Sequence, residues 1–310
     1  MQRRAVLLAL VIPGLLLVLA ACQSASEAPA AAESVGEEAA HDDAAVEEVD
    51  SDADPGEEVA AGPPPLAEEL GLPPGMAGVR WAEGLQQPVG IAFDTEGRLL
   101  VAESGGRVWR FQDGNGDHRA DPPQLVAEGL GELRGIAAAA DGSVLLSQRG
   151  QVSRLTDSDG DGVADVVTPI VRGLPDRVRA NNAIVEGPDG LIYVSIGSTC
   201  NDCVEASRLS AAILQIDPIS SEIRLYASGL RNVSDLTFSP DGALWATDQG
   251  SLSPCLSPDE LNRILPGAHY GWPYCAPEGE GFGDAGPAAL LLGTETGAAG
   301  IAWMDSPLFA

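Results

Sequence analysis

The chain has 310 residues, of which 46 are acidic and 17 are arginine, with no lysine and a formal net charge of −29. This balance argues against nucleic acid as a partner, because a phosphate-binding surface needs clustered basic side chains. The length is sufficient for a large buried core, and five cysteines suit an exported protein.

The first 21 residues predict an export signal. Two arginines precede an uncharged apolar run from Ala5 to Ala21, and a basic start followed by a short apolar core is typical of a signal peptide. The run ends in Leu-Ala-Ala-Cys at 19–22, which resembles the lipobox of bacterial lipoproteins. We therefore expect Cys22 to be acylated and to anchor an exported protein to the cell membrane or outer membrane, facing the periplasm or exterior. The alternative is an ordinary signal peptide followed by a chance cysteine.

Residues 22–74 predict a disordered acidic tether. The stretch from Gln23 to Leu70 contains 15 Asp and Glu, no Arg and no aromatic residue. Such a composition cannot bury enough apolar surface to offset the entropy cost of ordering. About half of the net charge lies here, so that charge says little about the partners of the domain expected at 75–310.

Four segments of that domain repeat the same order of apolar runs and turns. Each begins with Gly-Leu, at intervals of 45, 44 and 56 residues, and the four glycines are Gly84, Gly129, Gly173 and Gly229. Each then contains an apolar run and an acidic-Gly turn, at 96–97, 141–142, 189–190 and 241–242. A period in the 40s with several strands per unit is typical of β-propeller blades. The sequence therefore predicts an all-β propeller.

Strand-like runs follow one another along the four units. In the first two units they are Val89–Phe93, Leu99–Ala102, Val108–Phe111, Gln124–Ala127, Ile136–Ala139, Val144–Ser147, Val152–Leu155 and Val166–Val171. In the next two they are Ala183–Glu186, Leu191–Ile196, Ala212–Ile216, Asp235–Phe238 and Leu244–Thr247, followed by a predicted long loop to Trp272. A fifth unit begins at 299–303. About four blades and part of a fifth leave a ring open, so we expect a truncated product or a partial gene.

Two loops in the first two units have the spacing of calcium ligands. Oxygen-bearing side chains stand at relative positions 1, 3, 5 and 9, which are Asp113, Asn115, Asp117 and Asp121 in one loop and Asp157, Asp159, Asp161 and Asp165 in the other. This spacing matches the start of an EF-hand calcium loop, but the bidentate Glu at position 12 is missing. Weak calcium binding and a solvated turn both remain open, and in either case we expect a structural role.

The four cysteines after Cys22 form two local pairs. They are Cys200 with Cys203 and Cys255 with Cys275, and of the three possible connectivities we expect the two local disulfides. The Cys200-Asn-Asp-Cys203 segment could instead be a redox or metal motif. No second C-x-x-C completes a zinc site, and no His follows to make a haem attachment motif.

The third and fourth units carry an ordered series of motifs. They are Gly187-Pro-Asp-Gly190, Cys200-Asn-Asp-Cys203, Gly229-Leu-Arg-Asn232, Leu244-Trp-Ala-Thr-Asp-Gln-Gly250, Asp259-Glu-Leu-Asn262 and His269-Tyr-Gly-Trp-Pro-Tyr274. Over about Gly84 to Tyr274 the chain resembles the glucose/sorbosone dehydrogenase family, six-bladed propellers that depend on pyrroloquinoline quinone (PQQ). The resemblance implies PQQ and calcium as cofactors and a sugar or aldehyde as substrate.

The resemblance also implies roles for single residues. Arg231 and Asn232 match a cofactor-contacting pair, and the adjoining Gln249 is assigned to the same site. Gly250 matches a residue whose backbone carbonyl binds the calcium, and Ser251 stands where a Pro carbonyl often does. For Arg231, a three-carboxylate cofactor needs guanidinium partners. The alternative for Arg231 is a structural ion pair with Asp259 or Glu260.

One departure puts catalysis in doubt. The family's catalytic His falls on Arg179, and a guanidinium does not act as a general base. Asp176 is a nearby substitute. The sequence therefore predicts a dehydrogenase relative of doubtful activity. The alternatives are a non-catalytic propeller that displays a binding surface outside the membrane, and a lactonase-type hydrolase whose carboxylate ligands are not evident.

Overall fold

The computed structural model describes residues 80–176, 183–200, 203–251, 257–274, 288–294 and 296–303, and the backbone of 6–12 and 15–21. The chain divides into two units, Met1–Cys22 with Arg80–Ala310, and Gln23–Val79. The second unit lies outside the described residues, as does Cys22. The described part is all-β, and it contains no helix of the length and hydropathy needed to cross a membrane.

Sixteen of the strands form four consecutive blades. Their bounds are β3 Pro88–Phe93, β4 Leu99–Glu103, β5 Arg107–Phe111, β6 Gln124–Ala127, β7 Leu133–Ala138, β8 Val144–Gln148, β9 Gln151–Thr156 and β10 Val166–Arg172 in blades 1 and 2. Blades 3 and 4 comprise β11 Ile184–Glu186, β12 Ile192–Ile196, β13 Ala212–Ile216, β14 Ile223–Ser228, β15 Val233–Phe238, β16 Leu244–Asp248, β17 Asp259–Ile264 and β18 Leu290–Gly293. Each blade is a four-stranded sheet in chain order. This confirms a four-blade propeller arrangement.

The acidic-Gly turns join the first two strands of every blade. All four glycines have a left-handed backbone, with φ of 78° at Gly97, 86° at Gly142, 74° at Gly190 and 81° at Gly242. Glycine adopts this conformation without the steric cost that a Cβ would add. The repeated turn therefore sets the same antiparallel register in each blade, for example Phe93 opposite Leu99 and Phe238 opposite Leu244.

The hydrophobic core lies between neighbouring blades. One cluster joins Leu100 and Val108 of blade 1 to Leu133 and Leu146 of blade 2, and all four side chains are fully buried. Two similar clusters join blade 2 to blade 3 and blade 3 to blade 4. Because each sheet buries both faces against its neighbours, the second strands consist of almost continuous buried residues.

The apolar run near the N-terminus forms two strands, β1 Val6–Ile12 and β2 Leu15–Ala21, which pair antiparallel. β2 also pairs with β19, Gly300–Trp303, in a three-stranded sheet. β19 corresponds to the first strand of the predicted fifth unit. The export signal at 1–21 and the six-bladed ring remain predictions.

The structure corrects the predicted loop after the fourth unit's second strand. Residues Asp259–Ile264 form β17, which pairs with β16 from Glu260 to Ile264. Its first residue is a carboxylate that is only 2% exposed, and a charged residue at a buried strand position contradicts the usual pattern. The fourth strands β14 and β18 were also absent from the predicted elements.

Candidate functional site

The candidate site lies at one end of blade 4. Arg231 and Asn232 lie in the connection that enters β15, and Gln249 and Gly250 follow β16. Val233 pairs with Asp248 in the antiparallel register of these strands, so the two loops meet at the same edge of the sheet.

Asp248 holds the entering connection in place. Its Oδ2 accepts a hydrogen bond of 3.0 Å from the Arg231 backbone N–H, and its Oδ1 accepts one of 2.6 Å from the Asn232 N–H. The side chain is 8% exposed. The corresponding carboxylate in blade 1, Glu103, likewise accepts from the backbone N–H of Gln86. The carboxylate at the end of the second strand is therefore part of the blade scaffold.

The Arg231 guanidinium is buried beside two carbonyl groups and an aromatic ring. Its Nη1 donates to the carbonyl of Gln249 at 3.2 Å and to the carbonyl of Gly250. Its Cζ lies 5.4 Å from the centre of the Trp272 ring. The Trp272 Nε1 is buried and has no hydrogen-bond partner among the residues that the structure describes. The site thus places the Arg231 cation beside the Trp272 indole, whose buried N–H can still donate a hydrogen bond.

A polar pair recurs at this edge in three blades. In each pair the second residue donates its backbone N–H to the carbonyl of the first, at 3.0, 3.0 and 3.1 Å, and the side chains also bond. The pairs are Gln87 with Ser104, Glu132 with Arg149, and Asn232 with Gln249. Arg231, in contrast, occupies the position of Gln86 in blade 1 and Gly131 in blade 2. Arg231 therefore distinguishes this connection of blade 4 from those of blades 1 and 2, while the equivalent connection of blade 3 lies outside the described residues.

Hydrogen bonds and close contacts fix the Gly250 backbone. The Gly250 N–H donates to Asp259 Oδ1 at 3.0 Å. Asp259 Oδ2 in turn accepts from Thr296 Oγ1 and from the Ala298 N–H, both at 2.9 Å. A Cβ at Gly250 would lie 2.1 Å from the Ser257 carbonyl oxygen, so only glycine fits. Asp259, proposed above as a structural partner of Arg231, instead fixes this loop.

The two carbonyls assigned to calcium both accept protein hydrogen bonds. The Gly250 oxygen accepts from Arg231, and the Ser251 oxygen accepts from the Ser257 N–H at 2.8 Å. A calcium ion bound to Gly250 would share its ligand with a guanidinium, and two cations at such short range repel.

A buried carboxylate, Asp248, lies opposite the half-buried Glu260 where β16 pairs with β17. Burial, with a smaller contribution from the neighbouring Glu260, raises the pKa of Asp248 to about 7, against the lowering effect of its two backbone hydrogen bonds. Burial also raises the pKa of Glu260, which accepts a hydrogen bond from Asn262. The sequence did not reveal the pairing of Asp248 with Glu260, because it predicts a loop where β17 lies.

The two predicted calcium loops share one backbone geometry. The position-1 carboxylates of Asp113 and Asp157 accept from backbone N–H groups at positions 4 and 6, and the position-9 carboxylates of Asp121 and Asp165 accept from position 2. In the second loop, oxygens of Asp157, Asp159 and Asp161 lie within 4.8 Å of one another. Asp165, the residue at position 9 of this loop, already accepts hydrogen bonds from Ser158, and these bonds lower the pKa of its carboxyl group.

Cys200 and Cys203 form a disulfide with a Cα–Cα distance of 6.0 Å, as the local pairing predicts. The bridge follows β12, at the same edge as Arg231, since the N–H of Ser198 donates to the Arg231 carbonyl at 2.8 Å. Cys255, Cys275 and Arg179 lie outside the described residues, so the second bridge and the position of the family's His stay predictions.

No general base is evident among the described histidines, His118 and His269. His118 is exposed in the first acidic loop. His269 accepts a hydrogen bond at Nδ1 from the Gly271 N–H at 3.0 Å, and burial lowers its pKa. A neutral ring that accepts at Nδ1 carries its proton on Nε2, so the one nitrogen with a lone pair is already engaged by the backbone. The proposed substitute Asp176 pairs with Arg149, its Oδ2 lying 3.5 Å from Nε.

Solved propeller structures resemble this chain over most of the described blades. The PQQ-bound aldose sugar dehydrogenase of Streptomyces coelicolor is 25% identical with a TM-score of 0.55, over 66% of this chain and 68% of that chain. A Thermus thermophilus protein described as an oxidoreductase (glucose dehydrogenase) is 27% identical with a TM-score of 0.51, over 63% and 67%. The resemblance to PQQ-dependent sugar dehydrogenases is thus supported at the family level.

A curated relative and a protein-family model also match. The uncharacterized protein slr1608 of Synechocystis is 27% identical in an alignment of 249 residues that covers 64% of this chain and 60% of the relative. The chain therefore spans less than two thirds of that relative's length. The family model, described as a domain of unknown function (DUF7133), matches residues 82–257, and the chain belongs to this family.

Proposed function

We propose that the propeller binds an anionic quinone of the PQQ type at the Arg231 end of blade 4 and belongs to an exported sugar or aldehyde dehydrogenase. The observation that carries this proposal is the buried Arg231 guanidinium on Trp272, in the connection where blades 1 and 2 carry an uncharged residue. The resemblance to PQQ-dependent sugar dehydrogenases supports the same ligand class.

The residues fit the quinone's carboxylates. A guanidinium forms strong charge-assisted bonds to a carboxylate, and Arg231 is 8% exposed, so its charge is weakly screened. The buried Trp272 Nε1, without a partner among the described residues, can donate to a ligand oxygen. The Asn232 and Gln249 amides bond each other at 2.8 Å and flank the same position.

The fit to calcium at Gly250 and Ser251 is conditional on Arg231. A ligand carboxylate that binds the guanidinium would draw Nη1 away from the Gly250 carbonyl and return that oxygen to a metal. Calcium prefers carbonyl and carboxylate oxygens, so the proposal retains Gly250 and Ser251 as its ligands and couples the use of Gly250 to the anion.

When bound, a quinone of this class supplies a two-electron acceptor for an alcohol carbon. The chain's residues bind and orient it: Arg231 neutralises negative charge, Trp272 offers a flat apolar face, and Asp248 fixes the Arg231 backbone. Proton removal from the substrate needs a base. Asp248 is not assigned that role, because it is only 8% exposed and holds the Arg231 and Asn232 backbone in place.

Binding of PQQ to the full chain tests the proposal directly. PQQ would be titrated with calcium present, and binding would be followed by tryptophan fluorescence and by calorimetry. The Arg231→Ala variant should bind about 10- to 100-fold more weakly, because a hydrogen bond to a charged group contributes about 1.5–3 kcal/mol. The matched control is Arg224→Ala, which removes an arginine that is 64% exposed on β14 and should leave binding unchanged.

Dye reduction with aldoses separates binding from catalysis. We expect little turnover in the unmodified chain and a gain in the Arg179→His variant, because general-base assistance is typically worth about 10²–10⁴-fold. Equal PQQ affinity in Arg231→Ala and the parent chain, with the fold intact by circular dichroism, would refute the assignment of the site.

The second candidate is a non-catalytic propeller that displays a binding surface outside the membrane. It is favoured by the two described histidines, since Nδ1 of His269 is engaged by a backbone N–H and His118 lies in the acidic loop of blade 1. Absence of PQQ binding in both the parent chain and Arg179→His would favour this function.

A further inference from the structure

The loop between β12 and β13 carries a disulfide and a carboxylate in direct contact. Glu205 Oε1 lies 3.9 Å from the Cys200 sulfur. The carboxylate is held by Ser198 Oγ at 2.5 Å, by the Thr199 N–H at 3.0 Å and by Thr199 Oγ1 at 2.6 Å. These bonds fix Glu205 against one of the two sulfurs.

The two sulfurs differ in exposure. Cys203 is exposed, whereas Cys200 is half-buried beside Glu205. An incoming thiol therefore has access to Cys203, while the proton-accepting carboxylate serves Cys200. A pair consisting of one accessible and one sheltered cysteine, with a carboxylate at the sheltered one, is chemically suited to thiol–disulfide exchange.

The small loop that the Cys200–Cys203 bridge closes also suits thiol–disulfide exchange. The bridge spans a sequence separation of 3, so it removes little entropy from the unfolded chain and is a weak staple. The same short separation keeps the two thiols together after reduction, and the bond can close again by an intramolecular step.

We propose that Cys200 and Cys203 form a dithiol–disulfide exchange site with Glu205 as its proton acceptor. In the reduced chain, the Cys203 thiolate attacks a disulfide of the oxidant, forms a mixed disulfide and releases one thiolate. The Cys200 thiol passes its proton to Glu205 and attacks the Cys203 sulfur, which closes the protein disulfide and releases the second thiolate. Two electrons pass to the oxidant, whose thiolates take up two protons. A dithiol reductant runs the sequence backwards.

Exchange with glutathione in the folded full chain tests this proposal. Reduced protein would be mixed with oxidised glutathione, quenched with acid, alkylated and mapped by mass spectrometry. We expect glutathione on Cys203 in the Cys200→Ser variant, and at least about 10-fold slower adduct formation on Cys200 in Cys203→Ser.

The Glu205→Gln variant should close the Cys200–Cys203 bond about 10-fold more slowly, at the low end of general-base effects. Glu222→Gln is the matched control, because it alters an exposed carboxylate of the same blade away from the sulfurs, and it should close at the parent rate. Reduction of the bridge only at the rate of global unfolding, or equal closure rates in both variants, would overturn the proposal and leave a structural disulfide.

Discussion

Asp248 couples its charge state to the position of the Arg231 backbone. Both of its oxygens accept N–H groups of the connection that carries Arg231 and Asn232. Burial nevertheless raises its pKa to about 7 from an ordinary value of 3.8. The folded chain therefore keeps a proton on this group at pH values where the unfolded chain has lost it.

The stability of the folded chain therefore depends on pH, and the sign follows from how many protons the folded and unfolded states bind. Between about pH 4 and pH 7 the folded state binds more protons than the unfolded state, so stability falls as the pH rises and becomes flat above pH 7. Asp235, whose pKa burial raises to about 6, adds to the decline below pH 6. Carboxylates whose pKa is lowered, such as Asp241, act only below about pH 4.

We predict that the Asp248→Asn variant loses much of this decline. Between pH 5 and pH 7.5 the free energy of unfolding of the parent chain should fall by about 2 kcal/mol through Asp248 alone. At pH 5 the variant should be less stable by about 1–3 kcal/mol, because the amide NH₂ faces a backbone N–H. Urea unfolding at both pH values measures this. Asp241→Asn should keep the parent's slope, and an equal slope in Asp248→Asn would contradict the raised pKa.

At the scale of elements, the repeated turns were predictable and the polar strand was not. Acidic-Gly turns and apolar alternation depend on local backbone preferences, so most strand bounds agree with the sequence within a few residues. β17 was missed because its buried Asp259 is satisfied by Gly250, Thr296 and Ala298, groups that only the tertiary structure brings together. The pairing of Asp248 with Glu260 depends on the same strand and was missed for the same reason.

The two acidic loops attach to neighbouring segments in the same way. Each docks on the preceding segment through one backbone bond of 2.8 Å, from the Ala120 N–H to the Trp81 carbonyl and from the Ala164 N–H to the Val126 carbonyl. The first loop has Asn115 where the second has Asp159. The loops thus differ in ligand charge while sharing a scaffold.

We predict that calcium stabilises the chain through the second loop. Sites of this kind bind at about 10⁻⁴–10⁻³ M, so about 10 mM calcium should raise the free energy of unfolding by about 1.4–2.7 kcal/mol and the melting temperature with it. Asp159→Asn should abolish most of the shift, because it removes a charge and gives this position the residue of the first loop. Ser158→Ala is the control that keeps all three clustered carboxylates. A melting temperature that is equal in calcium and in chelator would identify the loop as a plain turn.

At the scale of the whole molecule, the cores between blades make each blade depend on its neighbours. The sequence period predicted this stacking, since equivalent apolar positions recur in every unit. It did not predict which connection would carry the site. The connections of blades 1, 2 and 4 share a polar pair, and among these three it is Arg231, with its contact to Trp272, that distinguishes blade 4.

The predicted attachment of the whole molecule to a membrane depends on Cys22. An acyl chain contributes about 0.8 kcal/mol for each buried methylene, and stable anchoring takes more than one chain. The acidic stretch from Gln23 to Leu70 would be repelled by an anionic bilayer and offers no second attachment. We predict that Cys22→Ser moves the expressed protein from the membrane fraction to the soluble fraction and abolishes incorporation of labelled palmitate. Cys203→Ser should remain membrane-bound, which controls for loss of a thiol. A Cys22→Ser protein that stays with the membrane after a high-salt wash would show that the attachment does not depend on lipid at this residue.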